Sequence, residues 1–229
     1  MIIITGASRG IGKYLFEKYS GQGEKVIGIY HLTNPERTVD DGGNHFDKLD
    51  ITDFKAVSAW INNLQKTTNK IILINCAGIN YSSIIHKADP DEWERVIKVN
   101  VIGTFNMIRS LLPLMRENGF GRIINLSSVV SQMGIPGTSA YAASKAALNG
   151  MIKSIAAENA KKGITINNLV LGYYNTGMIN EVSEQILKGI VEKIFAGKLG
   201  DPHNIYRAIE FIREADYLTG ACINIDGGI

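Results

Sequence analysis

Hydrophobic positions along the chain fall into short apolar runs separated by longer stretches of helical period. The runs at 2–4, 26–30, 71–76, 123–126, 164–171 and 222–225 are rich in Ile, Val and Leu and mostly lack polar alternation. Strands covered on both faces read this way. Helical spacing occupies about 11–19, 53–67, 90–118, 140–162 and 204–213. The third of these has a well-formed start, with Asp89 as N-cap, Pro90 at the first helical position, and Asp91 and Glu92 in the positive first turn. Strands separated by helices predict right-handed βαβ units and a parallel sheet with helices on both faces. There is no internal repeat, low-complexity tract or linker, so residues 1–229 are expected to form one domain.

Two segments break this rhythm. Residues 31–45 hold Thr33, Asn34, Pro35, Asp40, Asp41, Gly42, Gly43 and Asn44, which suits loop and leaves little room for a helix. Residues 178–197 carry Ile179, Val182, Ile186, Ile190 and Ile194 at three- and four-residue spacing. That stripe fits either an ordinary core-facing helix or a lid whose apolar face covers a substrate.

Composition narrows the class. A chain of 229 residues with 45% hydrophobic and 20% charged residues is long enough for a full core and is neither disordered nor fibrous in character. Net charge is +2, and the tightest basic cluster is the pair Lys161-Lys162, far from the concentrated basic face of a nucleic-acid binder. No apolar run approaches the roughly 18 residues that span a bilayer, and the N-terminus reads as a strand rather than a signal peptide, so a cytoplasmic protein is expected. Cys76 and Cys222 lie in apolar runs and read as buried thiols of a reducing compartment. His31, His45, His86 and His203 have no metal-ligand spacing, and no metal site is expected.

The first candidate chemistry is TGASRGIG, Thr5 to Gly12, between the first strand and the first helix. Glycines at 6, 10 and 12 let the backbone turn sharply and approach a pyrophosphate, while the helix N-terminus behind them offers free N–H groups. A P-loop is rejected, because Ala7 stands where its first glycine is required and Tyr14 replaces the Ser/Thr metal ligand. A dinucleotide is therefore the expected guest.

The second is Tyr141-Ala142-Ala143-Ser144-Lys145, which puts the tyrosine and lysine on one helix face, one turn apart. A phenol with a pKa near 10 is a poor acid–base catalyst at neutral pH. An ammonium about 4 Å away is worth roughly 4 kcal/mol at an effective dielectric of 20, enough to bring it into range. Ser128 ends the run at 123–126, where open α/β sheets bind ligands. Its neighbour Ser127 should point the other way, so only one of the two hydroxyls can face a substrate. Asn100 is a polar residue within the long third helix, which needs either a helix–helix bond or a function to explain it.

Taken together, TGxxxGxG, Ser128, Tyr141-x-x-x-Lys145, Asn75-Cys76-Ala77-Gly78 and the ending Ile225-Asp226-Gly227-Gly228 resemble the short-chain dehydrogenase/reductase family, over essentially the whole chain. The resemblance implies a Rossmann-type doubly wound sheet of seven mostly parallel strands. It implies that Tyr141 exchanges a proton with the substrate oxygen, Ser128 polarises that oxygen, Lys145 lowers the tyrosine pKa and holds the nicotinamide ribose, and Asn100 supports a proton relay. It places Gly6, Ser8, Arg9, Gly10, Ile11, Gly12, Tyr30, His31, Asp50, Ile51, Asn75, Ala77, Gly78, Tyr141, Lys145, Gly172 and Thr176 around the cofactor. Leu171 stands where the family usually has proline, and the 31–45 loop takes the place of its second helix.

An acidic residue at the end of the second strand would bind both ribose hydroxyls of NAD. Tyr30-His31-Leu32 offers none, and Arg9 is within reach of a 2′-phosphate, so NADP is expected over NAD. The ending most resembles 3-oxoacyl-(acyl-carrier-protein) reductases, which implies a ketone substrate, free or carrier-linked, and a homotetramer or homodimer built on the two longest helices. Reductases or dehydrogenases of sugars, steroids and secondary metabolites share that look. A nucleotide-sensing scaffold without catalysis is the alternative of another class, disfavoured by the complete Ser/Tyr/Lys set.

Overall fold

The computed structural model describes residues 1–36, 43–64, 70–176, 179 and 182–229. Seven strands form a single sheet: β1 (Ile2–Thr5), β2 (Val26–Tyr30), β3 (His45–Lys48), β4 (Ile71–Asn75), β5 (Gly121–Ser128), β6 (Ile164–Leu171) and β7 (Cys222–Ile225). They lie in the order β3-β2-β1-β4-β5-β6-β7, and every pairing is parallel. The chain winds outward in both directions from the β1/β4 boundary. That reversal opens a crevice at the carboxyl ends of the central strands.

Helices α1 (Gly10–Ser20) and α7 (Pro202–Glu214) cover one face. There Leu15, Phe16, Tyr19, Ile205 and Ile209 pack on Ile2, Ile4, Ile74, Ile124 and Leu126. Helices α2 (Phe54–Asn62), α4 (Thr104–Glu117) and α5 (Ser139–Asn159) cover the other. There Val57, Met107, Leu111 and Ile152 pack on Ile3, Leu73, Ile123 and Ile166. Successive strand residues alternate between these two cores, as the period of 2 requires.

Three differences from the sequence-based picture have physical causes. β3 lies within and just beyond the segment expected to be loop, because an edge strand reading His-Phe-Asp-Lys carries no apolar run to announce it. The expected helix 53–67 ends at Asn62, with Asp53 outside it as the cap accepting from the Lys55 and Ala56 amides; positions 65–69 lie outside the described residues. The expected helix 90–118 divides into α3 (Pro90–Ile97), a π-helical turn at Lys98–Gly103, and α4. Gly103 permits the insertion, since a Cβ there would stand 2.6 Å from Ile51 Cδ1.

The 178–197 stripe is not a core-facing helix. Helix α6 (Glu184–Val191) contains no buried residue, Ile186 is exposed, and among the described residues of the stripe only Ile194 is buried. Positions 177, 178, 180 and 181 lie outside the described residues. Cys222 is exposed rather than buried, because β7 is the sheet edge.

Leu111 is wholly buried on α4 against β4 and β5. Leu111→Ala is expected to cost about 2–5 kcal/mol of stability, read as a lower urea midpoint with an unchanged slope.

Candidate active site

The glycine turn is built by close backbone approach. Gly6 has φ +67°, and a Cβ on it would stand 2.7 Å from Ala77 Cα in the turn that follows β4. A Cβ on Gly12 would lie on top of the Gly6 carbonyl. Thr5 fastens the two turns together, its hydroxyl accepting from the Cys76 and Ala77 amides at 3.1 Å each. Gly10, at φ +55°, opens α1, whose first turn carries no acidic residue and whose N-cap Arg9 makes no side-chain cap bond. Positive, uncapped N–H groups behind a turn without side chains form a diphosphate cradle. Ser8 lies in the turn, Ile11 packs onto the α1/α7 core, and Arg9 is exposed at the rim.

At the far end of this groove β2 and β3 place Tyr30, His31, Asp50 and Ile51 together. The Leu49 amide donates to the Tyr30 carbonyl at 2.8 Å, and His31 Nε2 lies 3.9 Å from Asp50 Oδ2. Asp50 also accepts from the Thr52 amide and hydroxyl, which fixes the turn after β3. Buried Asn106 on α4 donates to the Ile51 carbonyl. The nearest acid in the 31–36 stretch, Glu36, is bonded to Lys13 at 2.7 Å.

The catalytic candidates converge at the carboxyl end of β5. Ser128 stands close enough to the Tyr141 hydroxyl to pull its pKa down, while its own Oγ accepts from the Val130 amide at 3.3 Å. Lys145 Nζ lies 5.5 Å from the Tyr141 ring centroid and donates to the Leu126 carbonyl at 2.7 Å. Ser127 turns the other way, as strand alternation requires: its hydroxyl donates to the Lys145 carbonyl and to Asn149 Oδ1.

Gly78 separates this cluster from the glycine turn. A Cβ there would be 3.4 Å from Asn100 Oδ1 and 3.6 Å from Lys145 Nζ. Asn100, in the π-helical turn, donates to the Ile79 carbonyl and Ser144 hydroxyl and accepts from the Ile79 amide. Its side chain is a clamp on the segment after β4, and its carbonyl accepts from the Thr104 hydroxyl. The Asn75 amide donates to Asn125 of β5 rather than toward the turn. Gly172 packs against the Asp226 backbone, its amide donating to the Ile225 carbonyl, and the Thr176 amide donates to the Tyr174 carbonyl. Asn106 and Asn149 lie outside every motif the sequence offers, and Thr5 and Ser144 lie inside motifs without an assigned role.

Burial governs the titration of the cluster. It pushes the Tyr141 phenol up to about 12, against the Ser128 hydrogen bond that pulls it down. It pushes the Lys145 amine down to about 8. The expected lowering of the phenol by a neighbouring ammonium is thus absent from this arrangement, because Nζ is directed at Leu126 and the same desolvation disfavours its charge. Cys76, beside both, is raised to about 11 by burial. Among the described residues no group of three His, Cys, Asp or Glu is placed to hold a metal ion, and no helix is long and apolar enough to cross a membrane.

The family model described as short chain dehydrogenase matches residues 1–187. The chain belongs to that family. It is 36% identical to the acetoacetyl-CoA reductase of Rhizobium meliloti (strain 1021), over 99% of this chain and 96% of the relative. It is 35% identical, with the same coverage, to the 3-oxoacyl-(acyl-carrier-protein) reductase FabG of Salmonella typhimurium (strain LT2). A crystal structure of 3-oxoacyl-(acyl-carrier-protein) reductase from Brucella melitensis superposes with a TM-score of 0.88 at 28% identity, covering 100% of this chain and 90% of that one. As a member of the short-chain dehydrogenase family the protein is an oxidoreductase.

The lowered lysine makes a prediction about stability. Between pH 8 and 10.5 the unfolded amine holds a proton that the folded one has released, so its contribution to stability rises with pH across that window. Lys145→Met, compared with wild type by urea unfolding, is expected to gain most below pH 8, and the gain is expected to shrink toward pH 10.5.

Proposed function

We propose that this short-chain dehydrogenase reduces the ketone of a 3-oxoacyl thioester to a secondary alcohol with NADPH. The observation that carries the reading is the continuity between cradle and cluster: Gly6 packs on Ala77, the next residue is Gly78, and Gly78 faces Lys145 Nζ. A dinucleotide with its diphosphate on the 6–12 turn is thereby directed toward Ser128 and Tyr141. The residues present fit it, with Gly6, Ser8, Gly10, Ile11 and Gly12 at the diphosphate, Asp50 and Ile51 at the adenine, and Asn75, Ala77, Gly78, Gly172 and Thr176 along the nicotinamide half. When bound, the nicotinamide supplies the hydride.

The chain's own residues supply the proton. A phenol pushed up to about 12 keeps its proton at neutral pH and is ready to donate it to the developing alkoxide. Ser128 donates its one hydroxyl hydrogen to the same oxygen. Lys145, about half or more protonated near pH 8 or below, stabilises that phenolate and reaches a ribose hydroxyl. Asn100 holds the 78–79 segment that closes over the lysine.

The substrate class comes from the similar proteins, whose names specify acetoacetyl-CoA and 3-oxoacyl-carrier substrates, both 3-oxoacyl thioesters. Helix α6, which has no buried residue, is the described part of the 178–197 segment that covers that substrate. NADP is favoured by Glu36, the acid of the described 31–36 stretch after β2, being bonded to Lys13, by exposed Arg9 and by the imidazole of His31. Ile102 in the π-helical turn and Phe105 on α4, with Ala143, Ala146, Ala147 and Gly150 on α5, are exposed and provide the face for assembly into a dimer or tetramer.

Tyr141→Phe is expected to abolish nearly all consumption of NADPH with acetoacetyl-CoA while nucleotide binding, followed by fluorescence, persists. Undiminished turnover would remove this tyrosine from the chemistry, and nucleotide binding with no ketone or alcohol turned over by the wild type would favour a sensing role. Wild type is expected to prefer NADPH, and Arg9→Ala to raise KM for NADPH by about tenfold, on the order of one charged hydrogen bond, with KM for NADH little changed. A wild-type preference for NADH reverses that assignment.

A further inference from the structure

Three asparagines occupy matched positions on adjacent strands. Asn75, Asn125 and Asn168 are paired across β4, β5 and β6 on the face covered by α4 and α5, and all three are buried. Their amides form a chain of donors running one way. Asn75 Nδ2 donates to Asn125 Oδ1 at 2.9 Å, Asn125 Nδ2 to Asn168 Oδ1 at 2.9 Å, and Asn168 Nδ2 to Asn149 Oδ1 on α5 at 2.8 Å. Asn149 Nδ2 then donates to the Ser131 hydroxyl at 3.2 Å, and Ser131 to the Ser128 carbonyl at 2.7 Å.

Four apolar side chains would fill this volume without desolvating any amide, and a buried amide is costly unless bonded. Amides aligned head to tail polarise one another and stiffen the whole row. The row stops at the residue that carries the oxygen-polarising hydroxyl. Asn149 is its branch point: two turns beyond Tyr141 on α5, it accepts from β6 through Asn168 and from Ser127, and donates to Ser131. The two serines it binds flank Ser128 on either side.

We propose that Asn149 and Ser131 are positioning residues, which transmit the register of β4–β6 to the Ser128 backbone and hold its hydroxyl against Tyr141. The inference rests on the reading of Ser128 and Tyr141 as the groups that face the substrate oxygen. A Ser128 displaced from Tyr141 no longer pulls the phenol down, so the phenol titrates higher.

The test compares Asn149→Leu, Ser131→Ala and the double variant of the full chain, with NADPH and acetoacetyl-CoA. Each single variant is expected to lose about 10- to 100-fold in kcat, the scale of a sub-ångström to ångström misplacement, with nucleotide affinity unchanged. The double variant is expected to be no worse than the weaker single one, because both cut the same row. In alcohol oxidation, which needs the phenolate, the rise of rate with pH is expected to move to higher pH in the variants, an effect that loss of stability alone does not produce. Asn149→Asp, isosteric but unable to donate to Ser131, is expected to behave as Ser131→Ala does and serves if Asn149→Leu fails to fold. Folded variants with wild-type kcat, additive losses in the double variant, or an unshifted pH profile overturn the proposal. If Ser128→Ala is inactive while Asn149→Leu and Ser131→Ala are fully active, only the positioning role falls; if Ser128→Ala is itself fully active, the reading of the site falls with it.

Discussion

An amine held almost out of water organises this molecule's working end. Lys145 is 5% exposed, and an ammonium in that setting survives only if its lost hydration is replaced. The Leu126 carbonyl supplies one acceptor at 2.7 Å, and burial takes the rest of its charge in part, which is why the amine is pushed down to about 8. A partly charged amine is a responsive group. A negative charge arriving on the neighbouring phenol draws the proton onto it, so the stabilisation appears when the tyrosine has given its proton away and not before. Electrostatics of this kind favours the later state over the earlier one, as catalysis requires.

That arrangement constrains the backbone around it. Gly6 must lack a side chain because Ala77 presses against it, and Gly78 leaves the amine and Asn100 just room for contact beyond it. The π-helical turn at Lys98–Gly103 is part of the same solution. An extra residue in one helical turn re-aims Asn100 into the segment after β4, where its amide satisfies both polar groups of Ile79. Insertions of this sort weaken a helix locally and recur at functional sites.

The central strands were readable because parallel strands buried on both faces are continuous apolar runs, and the catalytic set because its spacing on one helix and one strand end is local. β3 was not readable, since its polar edge residues owe their conformation to pairing with β2. Nor was the division of the 90–118 helix, because the π turn preserves the apolar spacing on both sides and depends on Gly103 meeting Ile51, a contact distant in sequence. The titration of Tyr141 was misjudged for a related reason: charge proximity follows from spacing, whereas desolvation follows from the whole fold. Asn125 and Asn168 did leave a trace, as polar residues inside mostly apolar runs, but they lie 43 residues apart and become visible as partners only in register.

The sheet thus carries two kinds of polar group on its opposite faces, and β5 separates them. Asn125 and Ser127 look toward α5 and are held there by bonds; Ser128, next in the chain, looks toward the crevice beside Tyr141. Saturated buried amides resist movement, since any shift leaves a donor or acceptor unpaired at a cost of about 1–3 kcal/mol. A substrate-facing hydroxyl needs the opposite property, spare bonding capacity that a guest can use. Placing the rigid set one residue behind the reactive one gives the strand end a fixed position without consuming the group that must remain available.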